Sequence, residues 1–418
     1  MIPHLTHVTR TLAIACLLGA SLAAFDATAA PRHSLHTDKS EFTYVVNNGS
    51  SDISVYHVDS DTGALNQVPG SPFGAGRFPD SIASDPFTRF AYVANYGSND
   101  ISAFVIDAKT GGLTPIAGSP FAGGGGPSSI AISPEGGFVY VTNVLANTVS
   151  VYDVDRSNGR LTEIAGSPFA TGTGPLFVTL NPTGRFVYVA NYLSNDISAY
   201  SVQPNDGGLV QTIGSPFAAG LEPYSVVVDP RDRFVYAAND GGNVSAYVLE
   251  STTGALTPVV GSPFTVGNWS VPVVVDPSGR FVYVGGGSGG TYGTLGYIAG
   301  YSINATTGAL TSVPGSPFTA GMAPWSIALD PTGKFAYAAN AFIASNSLSA
   351  YRVDARTGEL TPLPGSPIAT GLNPQSVKVV QIGSFCGDRE RTRWGTRRPN
   401  GVSVGAELNL PAAADEDF

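Results

Sequence analysis

The residues of this chain that could do chemistry recur at one place in a repeated pattern, beside the last proline of the segment GSPFxxGxxP. Seven variable residues mark this place, namely Arg77, Asp80, Glu222, Tyr224, Trp269, Trp325 and Gln375. A carboxylate such as Asp80 or Glu222 can act as a general base, and a guanidinium can hold an anionic substrate. Aromatic rings can stack on a sugar ring or a peptide, or pack on neighbouring repeats. We predict a ligand site here, with unconstrained drift of the loops as the alternative.

An aromatic strand sets the period of the repeat. It reads FTYVVN at Phe42, FVYVAN at Phe186 and FAYAAN at Phe335, with four further copies between them. The tyrosines of this strand stand at positions 44, 92, 140, 188, 236, 283 and 337, so the steps are 48, 48, 48, 48, 47 and 54 residues. A period this regular indicates one supersecondary unit repeated seven times.

Each repeat divides into four short strands. In the repeat that begins at Pro175, they cover residues 176–180, 186–191, 197–202 and 209–213. Aromatic and β-branched residues separated by Gly, Pro, Asn and Asp are typical of antiparallel strands and tight turns. An Asn follows the tyrosine strand in every repeat except the sixth, which has Gly286. We expect this Asn to bond to its own loop backbone, with a cation-binding ring of Asn side chains as the alternative.

The strands are apolar on both faces, which favours sheets that are covered on both sides. Radial stacking of the sheets in a closed ring meets this need and leaves only short edges. The two ends of the chain are complementary, because the N-terminal repeat lacks a first strand and residues 376–380 form a first strand alone. The sequence therefore predicts an all-β fold, a seven-bladed β-propeller with four antiparallel strands per blade. One blade, shared between the N- and C-termini, closes the ring.

Charge and composition limit the classes of function. The net charge is −10, and an acidic surface repels phosphate backbones, so we expect no nucleic-acid partner. The sequence contains no Cys–His metal cluster and no phosphate-binding GK[ST] loop, so we expect neither a metal nor a cofactor. We expect a monomer.

The N-terminus is typical of a secretory signal. An apolar run at residues 11–25 follows Arg10, and Ala27, Thr28 and Ala29 form a small-residue cleavage pattern. The alternative, a membrane anchor, would need roughly 20 apolar residues. We predict a signal peptide at residues 1–29, a linker at 30–40, the propeller at 41–383 and a disordered tail at 384–418. The mature chain would then be exported to the periplasm or the exterior, without a transmembrane helix.

The YVAN strands, the DPxGRF turns and the GSPF segments resemble those of the β-propeller lactonase family, which is also described through YVTN repeats. The resemblance implies a seven-bladed propeller and an activity like that of 6-phosphogluconolactonase. The catalytic members carry a PHxH signature, a later PRH and a Glu after the YVxN strand. Here the corresponding positions hold Leu176 and Val178, Trp325 and Ser326, and Ala341. All five histidines lie at or before His57, so the resemblance assigns no catalytic residue.

Two functions remain open. The first is a non-catalytic binding or scaffold module, whose variable loop face takes a small molecule or a protein at the mouth of the channel. The alternative is a lactone hydrolase with Asp80 or Glu222 as the base and Arg77 for an anionic substrate, unless Arg77 and Asp80 only pair with each other. The Gly-rich insertion with Tyr292 and Tyr297 in the sixth repeat is either a lid over the channel or a flexible loop.

Overall fold

The computed structural model describes residues 40–287, 295–341 and 345–383, and within them the chain forms seven antiparallel sheets and no helix. We number these sheets as blades 1 to 7 in chain order, blade 1 being the one that contains both ends of the described chain. The signal peptide and tail predicted from the sequence lie outside the described residues, as do residues 288–294 of the insertion in blade 6.

In each blade the strands are numbered from one edge of the sheet to the other, and the first strand is the innermost of the ring. The first strands are Pro374–Ile382, Pro79–Ser84, Pro127–Ile132, Pro175–Leu180, Pro223–Val228, Ser270–Val275 and Pro324–Leu329 in blades 1 to 7. The second strands are Ser40–Asn47, Phe90–Asn95, Phe138–Asn143, Phe186–Asn191, Phe234–Asn239, Phe281–Gly287 and Phe335–Asn340. The third strands are Asp52–Val58, Asp100–Ile106, Thr148–Val154, Asp196–Val202, Asn243–Leu249, Gly296–Ile303 and Ser347–Val353.

The fourth, outermost strand is divided into two short pieces that both pair with the third strand. The first pieces are Leu65–Gln67, Leu113–Pro115, Leu161–Glu163, Leu209–Gln211, Leu256–Pro258, Leu310–Ser312 and Leu360–Pro362. The second pieces are Phe73–Gly74, Phe121–Ala122, Phe169–Ala170, Phe217–Ala218, Phe264–Thr265, Phe318–Thr319 and Ile368–Ala369. The GSP segment causes the break, because its Pro has no N–H to donate. Its Ser compensates: Ser71 Oγ accepts a hydrogen bond from the Val55 amide at 2.8 Å, and the other six blades repeat the contact.

The second strands bury both of their faces, as the sequence predicts. Phe42, Tyr44 and Val46 pack in the core between blades 1 and 2, whereas Val45 packs in the core between blades 7 and 1. Each second strand thus contributes to two cores, which fixes the blades side by side.

The ring is closed by blade 1, which confirms the predicted seven-bladed propeller. Its first strand, Pro374–Ile382, pairs antiparallel with Ser40–Asn47, so that Ser40 lies opposite Ile382 and Tyr44 opposite Lys378. Neighbouring first strands contact one another around the whole ring. They therefore surround a central channel, and the residues that begin these strands lie at one end of it.

Candidate functional site

Two loops of each blade meet at the end of the channel where the first strands begin. The residue after the second strand donates its N–H to the residue that precedes the first strand: Tyr96 to the Phe78 carbonyl at 3.0 Å, and Asp240 to the Glu222 carbonyl at 2.8 Å. The GSPFxxGxxP loops and the loops after the second strands therefore share one face. We call this face the channel mouth.

The Asn at the end of the second strand is part of the frame of the mouth. Asn191 donates through Nδ2 to Asp196 Oδ1 at 2.6 Å and to Ser198 Oγ at 2.8 Å, and it is fully buried. Blades 1 to 3, 5 and 7 have equivalent contacts. The partners are side chains at the start of the third strand, and not the loop backbone that we expected. This Asn therefore ties the end of the second strand to the start of the third.

The seven candidate residues fall into three register positions. Asp80, Tyr224, Trp325 and Gln375 are each the second residue of a first strand, in blades 2, 5, 7 and 1. Glu222 and Trp269 come immediately before the first strands of blades 5 and 6, and Arg77 lies two residues before that of blade 2. All of them are thus at the mouth, but they do not form one cluster.

Blades 4 to 7 bring four aromatic rings together. The Trp269 and Trp325 ring centroids are 6.4 Å apart, those of Trp325 and Tyr224 are 5.2 Å apart, and those of Tyr224 and Tyr192 are 6.3 Å apart. Tyr224 and Trp325 are partly exposed, whereas Trp269 is only 4% exposed. Trp269 thus forms the floor on which Trp325 and Tyr224 lie.

Blade 6 is altered in a way that seats Trp269. Gly287 leaves room for the indole, because a Cβ at that position would overlap Trp269 Nε1. Gly286 replaces the framework Asn, and Tyr297, opposite it on the third strand, places its hydroxyl against Gly267. The blade that departs most from the repeat is therefore the one that holds the buried indole.

Two carboxylates border these rings. The Tyr192 hydroxyl donates to Asp240 Oδ2 at 3.1 Å and also interacts with the Glu222 carboxylate. Burial, followed by the negative charges of Asp240 and Glu222, raises the pKa of Tyr192 well above its usual value, so the phenol remains a neutral donor. We call Tyr192, Glu222, Tyr224, Asp240, Trp269 and Trp325 the aromatic corner.

Asp80 lies in a different environment, between blades 1 and 2. Its Oδ1 accepts a hydrogen bond from Asn48 Nδ2 at 2.7 Å. Burial raises the pKa of the Asp80 carboxyl to about 7, and the bond from Asn48 opposes only part of this shift. Arg77 does not form an ion pair with Asp80 in the described chain; its guanidinium lies over the Phe78 ring, 5.4 Å from the centroid, and is exposed.

The first strand of blade 1 contributes two polar side chains to this region, Gln375 and Lys378. The Gln375 amide donates weakly to Asn373 Oδ1 at 3.3 Å. Three residues further along the strand, the Lys378 side chain is exposed in the channel, and loss of hydration between the channel walls lowers the pKa of its ammonium group. The equivalent positions of the other blades hold only small or apolar residues, namely Ala83, Ala131, Thr179, Val227, Val274 and Ala328.

Four residues of the mouth and channel were not singled out from the sequence: Asn48, Tyr192, Asp240 and Lys378. The first three occupy the position after the second strand, which varies between blades just as the positions beside the proline do. That variation was the signal available in the sequence. Within residues 40–287, 295–341 and 345–383, no group of three or more His, Cys, Asp or Glu side chains could hold a metal ion. A search of the same residues for a helix that could cross a membrane finds none.

The comparisons with known proteins agree with this fold. The sequence profile of the family described as "Lactonase, 7-bladed beta-propeller" matches residues 17–179, 166–270 and 261–378. A search of curated proteins finds no match.

Similar solved structures include a candidate 6-phosphogluconolactonase of Bacteroides uniformis, with a TM-score of 0.69 and 20% identity, covering 82% of this chain and 100% of that one. Another is the periplasmic gluconolactonase of Pseudomonas aeruginosa, with a TM-score of 0.65 and 18% identity, covering 82% of this chain and 99% of that one. Identities this low show a common fold and not a common activity. Since the family profile covers well over half of the sequence, the chain belongs to the seven-bladed β-propeller lactonase family.

Proposed function

We propose that the channel mouth is the active site of a lactone hydrolase in which Asp80 is the general base. The observation that supports this proposal is the environment of the Asp80 carboxyl, which is partly buried between blades 1 and 2 and has a pKa raised to about 7. A base whose pKa lies near the working pH can both take and return a proton. Asn48 holds this carboxyl in place through its 2.7 Å hydrogen bond.

In the proposed reaction, ionised Asp80 takes a proton from a water molecule as the water oxygen attacks the lactone carbonyl carbon. The tetrahedral intermediate then collapses, the ring C–O bond breaks, and protonated Asp80 returns the proton to the leaving alkoxide. Lactone and water thus give the open-chain hydroxy acid, and Asp80 ends as it began. Gln375, at the same register in the neighbouring blade, has an amide N–H that would donate to the oxyanion.

The charges of the mouth favour a neutral lactone. In the segments between each GSP and the next first strand, and in the loops after the second strands, Arg77 is the single Lys or Arg. Asp80, Glu222 and Asp240 make the same face acidic, which repels a phosphorylated substrate. We therefore propose an uncharged sugar lactone of the kind named for the Pseudomonas aeruginosa protein.

The test is hydrolysis of D-glucono-1,5-lactone by the mature protein. The release of acid is measured by titration at constant pH, and the spontaneous rate is subtracted. We expect kcat/KM to rise with pH to a plateau above about 7, because the base must be ionised. Asp80→Asn should lower kcat by about 100-fold or more, while Asp61→Asn, a change of an exposed carboxylate in the turn of blade 1, should not. Unchanged turnover in Asp80→Asn would rule out this base.

Non-catalytic binding is the second candidate, and the position of histidine favours it. His57 is the one histidine in the described chain, and it lies against the Phe42 ring in blade 1, with 5.5 Å between ring centroids, instead of at the mouth. The usual proton shuttle is thus missing from the described site. Saturable binding of the lactone with no turnover above the spontaneous rate would establish this second function.

We also propose that the mature protein is exported. The small-residue pattern at Ala27, Thr28 and Ala29 supports this, as does the similarity to the periplasmic gluconolactonase of Pseudomonas aeruginosa. Mass spectrometry of the protein from a secreting host should then find a chain that begins at Ala30. A cytosolic, unprocessed chain would contradict the proposal.

A further inference from the structure

We propose that the side-chain amine of Lys378 is a second reactive site of this channel, where it forms an imine with a small aliphatic aldehyde. Lys378 is the fifth residue of the first strand of blade 1, whereas Asp80 and Gln375 are each the second residue of a first strand. Three residues along a strand span roughly 10 Å. The proposal therefore uses no residue assigned to hydrolysis, and it holds or fails independently of that function.

Lys378 has no polar partner among the residues that the structure describes. The two ion pairs of the described chain join Arg89 to Asp85 and Arg233 to Asp229. No side-chain hydrogen bond joins the Lys378 ammonium group to another described residue. Lysines enclosed by protein are normally paired. An ion pair therefore does not account for a lysine at this position.

The space beside the Lys378 amine is open and mainly apolar. The side chain is exposed in the channel, so a small solute in the channel can reach it. The first strands on either side have alanine at the same register position, Ala328 in blade 7 and Ala83 in blade 2. The other four blades have Ala131, Thr179, Val227 and Val274 there. The one long side chain of this level is thus surrounded by short ones.

The surroundings of Lys378 favour the neutral form of its amine. Loss of hydration between the channel walls lowers the pKa of the ammonium group. At neutral pH a larger share of this amine is therefore unprotonated than in an exposed lysine. The unprotonated amine is the nucleophile that attacks a carbonyl carbon.

The titratable groups of the neighbouring strands have partners other than Lys378. Its strand packs against Ser40–Asn47, Pro79–Ser84, Pro324–Leu329 and Phe335–Asn340. The titratable side chains of these strands make hydrogen bonds elsewhere, namely Glu41 with Gln381, Tyr44 with the Gly111 carbonyl, Asp80 with Asn48 and Tyr337 with the Gly63 carbonyl. Within the described chain, then, no carboxylate contacts the amine and raises its pKa.

The walls favour an aliphatic aldehyde over an anion or an open-chain sugar. An anion or a polyol loses water at this level and needs hydrogen-bond donors in return. Apart from Lys378, the polar side chain at this register position is Thr179, whose hydroxyl already donates weakly to the Leu180 carbonyl at 3.4 Å. An aliphatic aldehyde needs only the amine, because its hydrocarbon chain can lie against alanine and valine.

The proposed reaction is a condensation that needs no oxidant or reductant. The neutral nitrogen of Lys378 attacks the aldehyde carbon, and the carbonyl oxygen receives the electron pair of the broken π bond and a proton from the nitrogen. The resulting carbinolamine loses its hydroxyl group together with the second proton of the nitrogen, as water. The C=N bond forms in the same step. Amine and aldehyde thus give one imine and one water molecule, and hydrolysis reverses the reaction.

The experiment treats the mature protein with butanal and sodium cyanoborohydride, which reduces an imine to a stable secondary amine. Peptide mass spectrometry then locates the butyl groups. The chain contains four lysines, of which Lys109 and Lys334 are exposed outside the strands and serve as references within the same molecule. We expect Lys378 to react at least about 10-fold faster than these two at neutral pH, because each unit by which a pKa falls gives tenfold more neutral amine. The advantage should shrink toward about pH 10, where exposed lysines also lose their proton.

Variants test the amine and the space beside it separately. Lys378→Arg has no primary amine, so it should remove the channel adduct and leave those of Lys109 and Lys334. Ala328→Leu narrows the space and should slow the reaction of Lys378 alone, whereas Thr179→Val, an isosteric change at the same level, should not. Near-UV circular dichroism establishes that each variant is folded, and the wild-type rates decide the matter even where a variant is not. Reaction of Lys378 no faster than that of the two exposed lysines, or faster with glucose than with butanal, would overturn the proposal.

Discussion

Among the carboxylates of the mouth, Asp80 is the one whose surroundings clearly raise its pKa. The same register position in the other blades holds Ser128, Leu176, Tyr224, Val271, Trp325 and Gln375, so Asp80 is the only charged group in this ring of seven. A carboxylate among such neighbours loses hydration without gaining a positive partner, and its pKa rises to about 7. The frame of the blade stays the same while the chemistry of one position changes.

The raised pKa predicts a cost to stability that depends on pH. Unfolded Asp has a pKa near 3.9, so between about pH 4 and 7 the folded chain holds a proton that the unfolded chain has released. This group therefore favours folding at low pH, and its contribution falls as the pH rises to about 7. Asp80→Asn should have the free energy of unfolding of the wild type near pH 4 and exceed it by about 4 kcal/mol above pH 7.

Urea unfolding of both proteins at pH 4, 6 and 8 measures this difference. Asp61→Asn, at an exposed position in the turn of blade 1, serves as the control, and its difference from the wild type should not depend on pH. A constant difference at all three pH values would mean that the Asp80 carboxyl titrates as it does in water.

Sequence reasoning found Asp80, Tyr224 and Trp325 because variable residues stand out in a strict repeat. It did not find Asn48 as the partner of Asp80, because these residues are 32 positions apart and meet only across two blades. Nor did it show that Trp269 is buried, since this depends on the space left by Gly287. Contacts between blades are set by the packing of the ring, and a repeat aligned with itself does not reveal them.

At the scale of the blade, the sixth repeat shows how a frame accommodates a functional side chain. In this blade Gly286 replaces the buried Asn, and the Tyr297 ring from the third strand occupies the space. Gly287 then accepts the Trp269 indole against the sheet. Gly287 thus leaves room for the Trp269 indole, and Gly286 leaves room for the Tyr297 ring.

A single methyl group should disturb this arrangement. In Gly287→Ala the Cβ would overlap the Trp269 indole, so the ring must leave its present position. We expect a loss of about 1–3 kcal/mol of stability and a changed near-UV circular dichroism spectrum. Gly125→Ala is the matched control in a mouth loop, because its Cβ would have no neighbour nearer than 3.6 Å. A wild-type spectrum for Gly287→Ala would show that the indole is not held there.

The four strands of each blade were predicted from the alternation of apolar strands and Gly-rich turns, and the fold confirms them. The division of the outermost strand was not predicted. A short polar run such as GSP is expected to be a plain turn, whereas here Ser71 and its six equivalents replace a ladder hydrogen bond with a side-chain one. The Pro of each GSP segment interrupts the strand because it has no N–H to donate, so the cause of the division lies in the local sequence.

At the scale of the whole ring, the tyrosine of each second strand donates a hydrogen bond to the next blade. Tyr188 in blade 4 donates its hydroxyl to the Gly254 carbonyl of blade 5 at 3.0 Å, and Tyr337 in blade 7 donates to the Gly63 carbonyl of blade 1 at 2.9 Å. The other five tyrosines make the equivalent contact. The closing interface is thus built like the six others.

Ring closure can therefore be tested with two matched substitutions. Tyr337→Phe at the closing interface and Tyr188→Phe within the ring should each lose about 1 kcal/mol of stability, because each removes one buried hydrogen bond and leaves a carbonyl without its partner. Urea unfolding measures both. If the ring were open between blades 7 and 1, Tyr337→Phe would cost nothing while Tyr188→Phe would keep its full effect.

The shared blade also determines when the ring can complete its folding. Ser40–Asn47 is among the earliest strands to leave the ribosome, yet the strand that covers its inner edge, Pro374–Ile382, is made some 330 residues later. Until then this strand has an unpaired inner edge, which could pair with another chain. Completion of the ring must therefore follow synthesis of nearly the entire polypeptide.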